Sequence, residues 1–220
     1  MKYNVKRFIF SSSATVYGDQ PSPLKEDLEL RERTNPYGKS KAMSERILTD
    51  AAKTRDGFSL VLLRYFNPVG AHSSGLIGEA PQGRPNNLMP YKCKVAKGEL
   101  EILNVFGDDF ETPDGTGIRD YIHVVDLARG HVAALEKAGV GTRVYNLGTG
   151  RGTSVLELVE TFKKVNRVDV AYRIAERRPG DLAISFADVT KAKKELDWEA
   201  ELGIEDMVRD AWNFENALDD

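Results

Sequence analysis

The chain has 220 residues, 41% hydrophobic and 30% charged, a composition that supports a sizeable core and excludes fibrous, collagenous and disordered classes. Thirty-one Lys and Arg against thirty-four Asp and Glu leave a net charge of -3, so no overall basic field points to nucleic acid or an anionic membrane, and a small-molecule partner is expected. The single cysteine, Cys93, can make neither an internal disulfide nor a thiolate zinc site, which fits a reducing compartment and a cytoplasmic protein.

In chain order, Lys2, Lys6 and Arg7 precede Phe8-Ile9-Phe10 in the rough order of a signal peptide, but three apolar residues cannot form its hydrophobic region. A strand is predicted at 7–11, ending where Ser11-Ser12-Ser13 offers side chains that compete for the backbone. Thr34-Asn35-Pro36 reads as a helix start with a capping side chain and proline at the first turn. The helix is predicted over 37–54, with Met43, Ile47, Leu48 and Ala51 on one apolar stripe. Residues 58–66 are apolar on both faces apart from Arg64, as in a buried parallel strand, and Asn67-Pro68 is expected to stop them. The longest apolar run is far too short for a bilayer span.

Residues 69–90 are dense in glycine, proline and asparagine and read as a long loop and a unit boundary. Helices are predicted at 87–97, 125–137, 154–165, 189–196 and 204–216, and strands at 101–106, 120–123, 143–147 and 170–174. Such alternation predicts an α/β fold.

Tyr37 and Lys41 lie one turn apart on the first helix, so both side chains share a face. A free phenol holds its proton at neutral pH, but a neighbouring ammonium stabilises the phenolate, and such a pair can exchange a proton with a sugar hydroxyl. Ser13, at the end of the preceding strand, is placed to share that proton. Taken alone, Tyr-x-x-x-Lys also describes an ordinary helix start with a solvated lysine.

Three strings supply context: Phe10-Ser11-Ser12-Ser13-Ala14-Thr15-Val16-Tyr17-Gly18, Asn35-Pro36-Tyr37-Gly38-Lys39-Ser40-Lys41, and Arg64-Tyr65-Phe66-Asn67-Pro68-Val69-Gly70-Ala71. Together they resemble the extended short-chain dehydrogenase/reductase superfamily. Pro81-Gln82-Gly83-Arg84-Pro85-Asn86-Asn87-Leu88-Met89-Pro90-Tyr91 and 114–124 narrow the likeness to the UDP-glucose 4-epimerase (UDP-galactose 4-epimerase) family, and Tyr145-Asn146-Leu147-Gly148 and 177–181 extend it over essentially the whole chain. Dehydratases and decarboxylases of the superfamily carry acidic residues after the catalytic Ser/Thr, whereas Ala14 and Thr15 follow here.

The resemblance implies the trailing part of a Rossmann-type parallel sheet in residues 1–68, the C-terminal part of an NAD-binding domain. It implies a smaller α/β domain for the nucleotide sugar in, mainly, 69–220. The implied reaction is reversible epimerisation of UDP-glucose and UDP-galactose at the 4-position, through a 4-keto intermediate with transient hydride transfer to NAD. Tyr37 is implied as the base, with Lys41 holding the nicotinamide ribose, Ser13 bridging hydroxyl and phenol, and Phe66 in the nicotinamide pocket. Asn67, Asn87 and Leu88 are implied at the diphosphate and sugar, Asn104, Val105 and Phe106 at the uracil, and Arg119, Tyr121, Arg178 and Asp181 at diphosphate and ribose. Arg119 and Arg178 lie in glycine- or proline-containing stretches that can approach a pyrophosphate, though each alone also reads as a surface ion pair. Ser185 stands where side-chain bulk limits access beside the sugar, a hint of UDP-N-acetylhexosamines, and is equally a solvated strand serine.

Gly148-Thr149-Gly150-Arg151-Gly152-Thr153 superficially suggests a dinucleotide turn, but threonine occupies the third glycine position and no acid ends a strand about twenty residues on. His72, His123 and His131 lack metal-ligand spacing, no metal is expected, and no Gly-x-Ser-x-Gly occurs. Cys93 between Lys92 and Lys94 reads as a surface or half-buried helix cysteine rather than a reactive thiol. The glycine-rich turn that holds the NAD pyrophosphate in the family has no match, so roughly the first third of a family member is expected to be missing. A remnant that binds nucleotide sugar or complements another chain through its sheet edge is therefore the alternative to an enzyme. The family homodimer pairs the Tyr37 helix with a helix of that missing third, so dimerisation of this chain alone is not implied.

Overall fold

The computed structural model describes residues 5–32 and 35–218, so Lys2 and Thr34 lie outside the described residues. In chain order the elements are β1 (Arg7–Ser13), a 3-10 turn (Ala14–Tyr17), α1 (Pro36–Lys53), β2 (Ser59–Tyr65), β3 (Asn67–Val69), α2 (Leu88–Ala96) and β4 (Leu103–Phe106). There follow β5 (Ile118–Arg119), β6 (Tyr121–His123), α3 (Val124–Lys137), β7 (Gly141–Leu147), β8 (Thr153–Ser154), α4 (Val155–Asn166), β9 (Tyr172–Ala175), β10 (Ile184–Ser185), α5 (Thr190–Leu196) and α6 (Ile204–Ala217). The alternation is α/β, with the trailing part of a parallel sheet beside a second, smaller α/β unit, as expected.

The first sheet is parallel with order β1-β2-β7. Its middle strand is buried along its length apart from half-buried Tyr65, because helices cover both faces. Leu60 and Leu62 pack with Ala52 of α1 on one face. Val61 and Leu63 face the other way, into a cluster with Leu127 and Ala134 of α3 and Ala192 and Leu196 of α5. Residues beyond Pro68 also belong to this sheet, for the chain returns to it at β7 and covers it with α3 and α5. The second core, under α2, α4 and α6, contains Val105, Leu158, Phe162, Met207 and Val208.

Three expectations need correction. The strand does not stop at Ser11: Ser12 pairs with Arg64 and Ser13 with Tyr65, because ladder bonds and the Ser12 hydroxyl's bond to Glu45 outcompete local side-chain bonding. Asn67-Pro68 does not end the extended backbone but moves it to another sheet, where β3 pairs with β6. A two-stranded ladder leaves an open side for the missing proline N–H. Finally, most of the stripe on α1 points outward: Met43 is 65% and Ile47 67% exposed, and Ala51 is also exposed, while half-buried Leu48 does pack inward with Ala52, Leu60 and Leu62. The buried row is Gly38, Glu45 and Ala52.

Glu45 faces inward because Arg64 interrupts the apolar strand beneath it. Arg64 Nη2 donates to Glu45 Oε2 at 2.8 Å and Nε to Oε1 at 3.1 Å, both side chains are buried, and Ser12 Oγ donates to Oε1 at 2.5 Å. The guanidinium lies 4.7 Å from the Tyr17 ring centroid, and Tyr17 Oη donates to Asn146 Oδ1 of β7 at 2.6 Å. One buried pair with its hydrogen bonds thus joins β1, α1, β2 and β7.

Removing one partner strands a buried charge. We expect Glu45→Ala to lower unfolding free energy by about 3–5 kcal/mol, and Glu45→Leu with Arg64→Met to recover most of that loss, read from denaturant midpoints. A second buried cation behaves differently. Lys92 is fully buried, its Nζ donates to the Leu158 carbonyl at 3.3 Å, and it lies 4.5 Å from the Phe162 ring centroid; desolvation pulls its pKa down to about 7. The unfolded chain therefore binds the proton more tightly, so the neutral amine's contribution is present above the unfolded value of 10.5 and is lost as pH falls towards 7. Relative to Lys92→Met, stability of the unsubstituted chain should rise by about 1.4 kcal/mol per pH unit between pH 7.5 and 9.5, in denaturant titrations at those two pH values.

Candidate active site

Ser13 ends β1 and caps the 3-10 turn, its Oγ accepting from Thr15 N at 3.3 Å and from Thr15 Oγ1 at 3.0 Å. Helix α1 starts where the Asn35 side chain accepts from Gly38 N at 2.8 Å, with Pro36 in the first turn. A Cβ on Gly38 would lie 2.8 Å from the Thr15 carbonyl oxygen, so only glycine lets the helix start approach this turn so closely. That approach sets Tyr37 beside the end of β1.

Tyr37 is 55% exposed, and one turn on the Lys41 ammonium lies 5.6 Å from its ring centroid. Lys41 Nζ donates to the Ser11 carbonyl at 2.8 Å and sits 5.1 Å from the Phe10 ring centroid. Phenol and ammonium are thus brought together at the carboxyl end of the parallel strands. Among the described residues no hydrogen bond joins Ser13 to Tyr37. Phe66 is buried with Tyr17, Leu24 and Ala187, and edges a cavity of about 170 Å³ that also exposes Ser13, Tyr65 and Ser185.

That cavity shares Asn67, Arg119 and Asp181 with a larger cleft of about 500 Å³. The cleft is lined by Asn67, Asn87, Leu88, Asn104, Phe106, Arg119, Tyr121, Arg178 and Asp181. Val105 is the exception: strand alternation in β4 turns its side chain into the core, between Asn104 and Phe106 on the cleft side. Beyond Arg84, Tyr91 and Asn104 the cleft opens into a third cavity of about 330 Å³. Arg84, Tyr91 and Phe110 line the cleft and were not singled out in the sequence; the signal was a cation in the glycine- and proline-bounded loop Gly83-Arg84-Pro85.

Arg178 makes a two-pronged pair with Asp181, Nε to Oδ2 at 2.9 Å and Nη2 to Oδ1 at 3.2 Å, with its guanidinium 4.8 Å from the Phe106 ring centroid. Arg119 donates to the Ile118 carbonyl at 2.8 Å, and desolvation lowers its pKa, so it is held in a partly buried wall without a carboxylate partner among the described residues. Burial pushes the Tyr121 phenol up to about 12, keeping it a hydrogen-bond donor. Among the described residues the cleft lining holds three guanidinium groups against one carboxylate, that of Asp181, a balance that suits an anion.

The glycine turn at 148–150 has already spent its donors. Thr149 N and Gly150 N donate to the Asp120 carboxylate at 2.7 and 3.0 Å, and a Cβ on Gly148 would fall 2.5 Å from Asp120 Oδ2. A protein carboxylate fills the place a phosphate would take. Burial pushes the Cys93 thiol up to about 12, so it is no nucleophile. His123 caps α3, accepting from Val125 N at 3.0 Å, and faces Asp210 at 3.3 Å. Among the described residues no group of acidic, histidine or cysteine side chains could hold a metal, and no helix is long and apolar enough to cross a membrane.

The NAD dependent epimerase/dehydratase family model matches residues 1–148. A UDP-glucose 4-epimerase of Bacillus subtilis (strain 168) is 58% identical over 219 residues, covering 98% of this chain and 64% of that protein. The structure superimposes on the UDP-glucose 4-epimerase from Bifidobacterium longum in complex with NAD+ and UDP with a TM-score of 0.94 at 54% identity, covering 98% of this chain and 65% of that one. The UDP-glucose-4-epimerase from Stenotrophomonas maltophila with bound NAD and formylated UDP-arabinopyranose gives 0.92 at 48% identity, again with 98% and 65% covered. The chain thus spans somewhat under two thirds of the length of these relatives, and the likeness to UDP-glucose 4-epimerases read from its motifs holds along nearly all of it. With two thirds of its length matched by the family model, and with the fold and motifs in agreement, the chain belongs to the NAD dependent epimerase/dehydratase family.

Proposed function

We propose that the linked cavities bind a UDP-hexose, and that in its complete form the protein interconverts UDP-glucose and UDP-galactose at the 4-position through a 4-keto intermediate. The carrying observation is the juxtaposition of Tyr37 and Lys41 near the end of β1: neither lines a cavity itself, but Ser13 at the strand end and Asn35 at the helix start line the one that shares Asn67, Arg119 and Asp181 with the arginine-lined cleft. Nucleotide ligands of open α/β sheets bind at the carboxyl ends of the strands, where these groups stand.

In this reading Arg119 and Arg178 clamp the diphosphate, and Tyr121 donates to it or to the ribose. Asp181 exchanges its bond with Arg178 for ribose hydroxyls, Asn67, Asn87 and Leu88 border sugar and phosphate, and Asn104 and Phe106 border the base, with Val105 offering only its backbone between them. Tyr37 accepts the 4-hydroxyl proton beside the Lys41 ammonium that the Ser11 carbonyl holds in place, and Ser13 relays the proton once its hydroxyl turns from Thr15 to the substrate.

NAD, when bound, accepts and returns the hydride at the sugar 4-position. The chain's exposed Tyr37, half-buried Lys41 and the Phe10 and Phe66 rings fit its nicotinamide end, a flat group next to a ribose. Its pyrophosphate has no glycine-rich turn among these 220 residues. Two surfaces supply what the nucleotide-binding part still needs. The outer edge of β1 has no strand partner among the described residues, and Met43 and Ile47 stand out from α1. We assign the β1 edge to further strands of the same sheet, supplied in one polypeptide or by another chain, and the α1 stripe to a second copy. Residues 1–68 with β7 then serve the cofactor and most of 69–220 the nucleotide sugar. The alternative function, nucleotide-sugar binding without turnover, is favoured by that open edge.

Two measurements test this reading. The 220-residue chain should bind UDP in calorimetry, and Arg178→Ala should weaken binding about tenfold or more, as loss of a charge-assisted hydrogen bond of about 1.5–3 kcal/mol requires. In the complete form, Tyr37→Phe should lower the rate of UDP-galactose conversion by about 10²–10⁴-fold with little change in UDP binding. Unimpaired turnover in that variant would remove Tyr37 from the acid/base role.

A further inference from the structure

The three cavities lie end to end, and the residues they share fix their order. The chemistry end, with Ser13, Phe66 and Ser185, meets the central cleft at Asn67, Arg119 and Asp181, and the cleft meets the outer cavity at Arg84, Tyr91 and Asn104. A nucleotide sugar with its sugar at Ser13 and its diphosphate at Arg119 and Arg178 therefore directs its base to the outer junction.

Arg84 stands at that junction and differs from the other cleft arginines. Arg178 is paired with Asp181, and Arg119 is tied back to the Ile118 carbonyl. Arg84 has no carboxylate partner among the described residues: its Nη2 donates to the Tyr91 hydroxyl at 2.6 Å, and its guanidinium lies 5.3 Å from the Tyr91 ring centroid. Tyr91, on α2, props the guanidinium at the mouth of the cleft, and at least three of its five N–H donors remain for a ligand. On the opposite wall Arg173 Nε donates to Asn104 Oδ1 at 2.7 Å, which spends that amide oxygen and leaves the Asn104 NH₂ as a second donor.

We infer that Arg84, propped by Tyr91, is a specificity-determining residue that reads the nucleobase at the outer junction and selects a base carrying a carbonyl oxygen on its outer edge over one carrying an amino group there. The inference rests on the reading of the cleft as a nucleotide-sugar site. At the junction itself the charged group is the donor Arg84, beside Tyr91 and Asn104, while the Glu101 carboxylate lines the outer cavity and not the cleft. Arginine cannot accept a hydrogen bond, so it complements the 4-carbonyl of uracil and opposes the 4-amino group of cytosine, which is otherwise the same size and carries the same diphosphate. A site of committed donors rejects the analogue that cannot accept from them.

Calorimetric titration of the 220-residue chain with UDP and with CDP tests this, because charge and shape are matched and only the base edge differs. The unsubstituted chain should bind UDP about tenfold more tightly than CDP. Arg84→Leu, an exposed loop substitution, should bring the two affinities to within about twofold, and Arg84→Lys, which keeps charge but loses the fork, should lose most of the preference. Arg178→Ala should weaken both ligands and leave their ratio intact. Equal affinities in the unsubstituted chain, or an unchanged ratio in Arg84→Leu, would overturn the role of Arg84 while leaving the nucleotide site standing. Failure of the unsubstituted chain to bind either nucleotide would instead remove the site, and the inference with it.

Discussion

The buried pair of Glu45 and Arg64 is the constraint on which the placement of Tyr37, Lys41 and Ser13 depends. Helix α1 is held to the sheet through a charge that tolerates only one register, because a shift of one residue would leave both Arg64 and Glu45 unpaired in the interior. Tyr37 and Lys41 lie two turns and one turn before Glu45 on that helix, and Ser12, which also bonds Glu45, directly precedes Ser13. The pair contributes less as net stability than as a fixed offset between the helix and the end of β1. Apolar packing alone, through Ala52, Leu60 and Leu62, would allow sliding that moves the phenol away from the strand ends.

The same strand carries the site into the second unit. β2 ends at Tyr65, Phe66 closes a small cluster with Tyr17, Leu24 and Ala187, and Asn67 opens β3 against β6. Because the backbone runs through two sheets with a single residue between them, Asn67 has little freedom, and it lines both the chemistry end and the central cleft. Asp120 performs the complementary task from the other side. Lying between β5 and β6, its carboxylate accepts from Thr149, Gly150 and Ala187, gathering the turn after β7 and the segment after β10 behind Arg119. Neighbouring Arg119 is thereby aimed into the cleft by a residue that never faces it.

Much of this was legible in the sequence where local chemistry decides. Asn35-Pro36 marked the helix start, the two-sided apolar run marked β2 as central, and the resemblance named nine of the residues that line the cleft. Period alone could not say which stripe of α1 faces the sheet, since an outward apolar row and an inward charged row invert the usual pattern. Arg64 in an otherwise apolar strand was the available signal, for such a cation needs a buried partner. The two-residue strands β5, β8 and β10 carry no period to read, and they form only because tertiary structure brings them together. Arg84 and Tyr91 escaped because their partnership runs from a loop to a helix, seven residues apart.

The charge distribution shows why bulk composition is a poor guide to a partner. A net charge of -3 excluded a basic surface field, yet Arg84, Arg119 and Arg178 line one cleft with only Asp181 against them. Screening over about 8 Å at physiological ionic strength makes the distant acidic surface nearly invisible to a ligand inside that cleft, where partial burial of Arg119 strengthens each contact. Asp181 then serves a second purpose in the empty cleft: pairing with Arg178 lowers the cost of holding guanidinium groups together until an anion replaces it. In that reading, exchange of one carboxylate for a diphosphate is close to charge-balanced for Arg178 and a net gain for Arg119, which makes no ion pair with a carboxylate among the described residues. In the proposed reading, the difference between these two arginines, one pre-paired and one not, is what lets a tolerable cluster of like charges take up an anion.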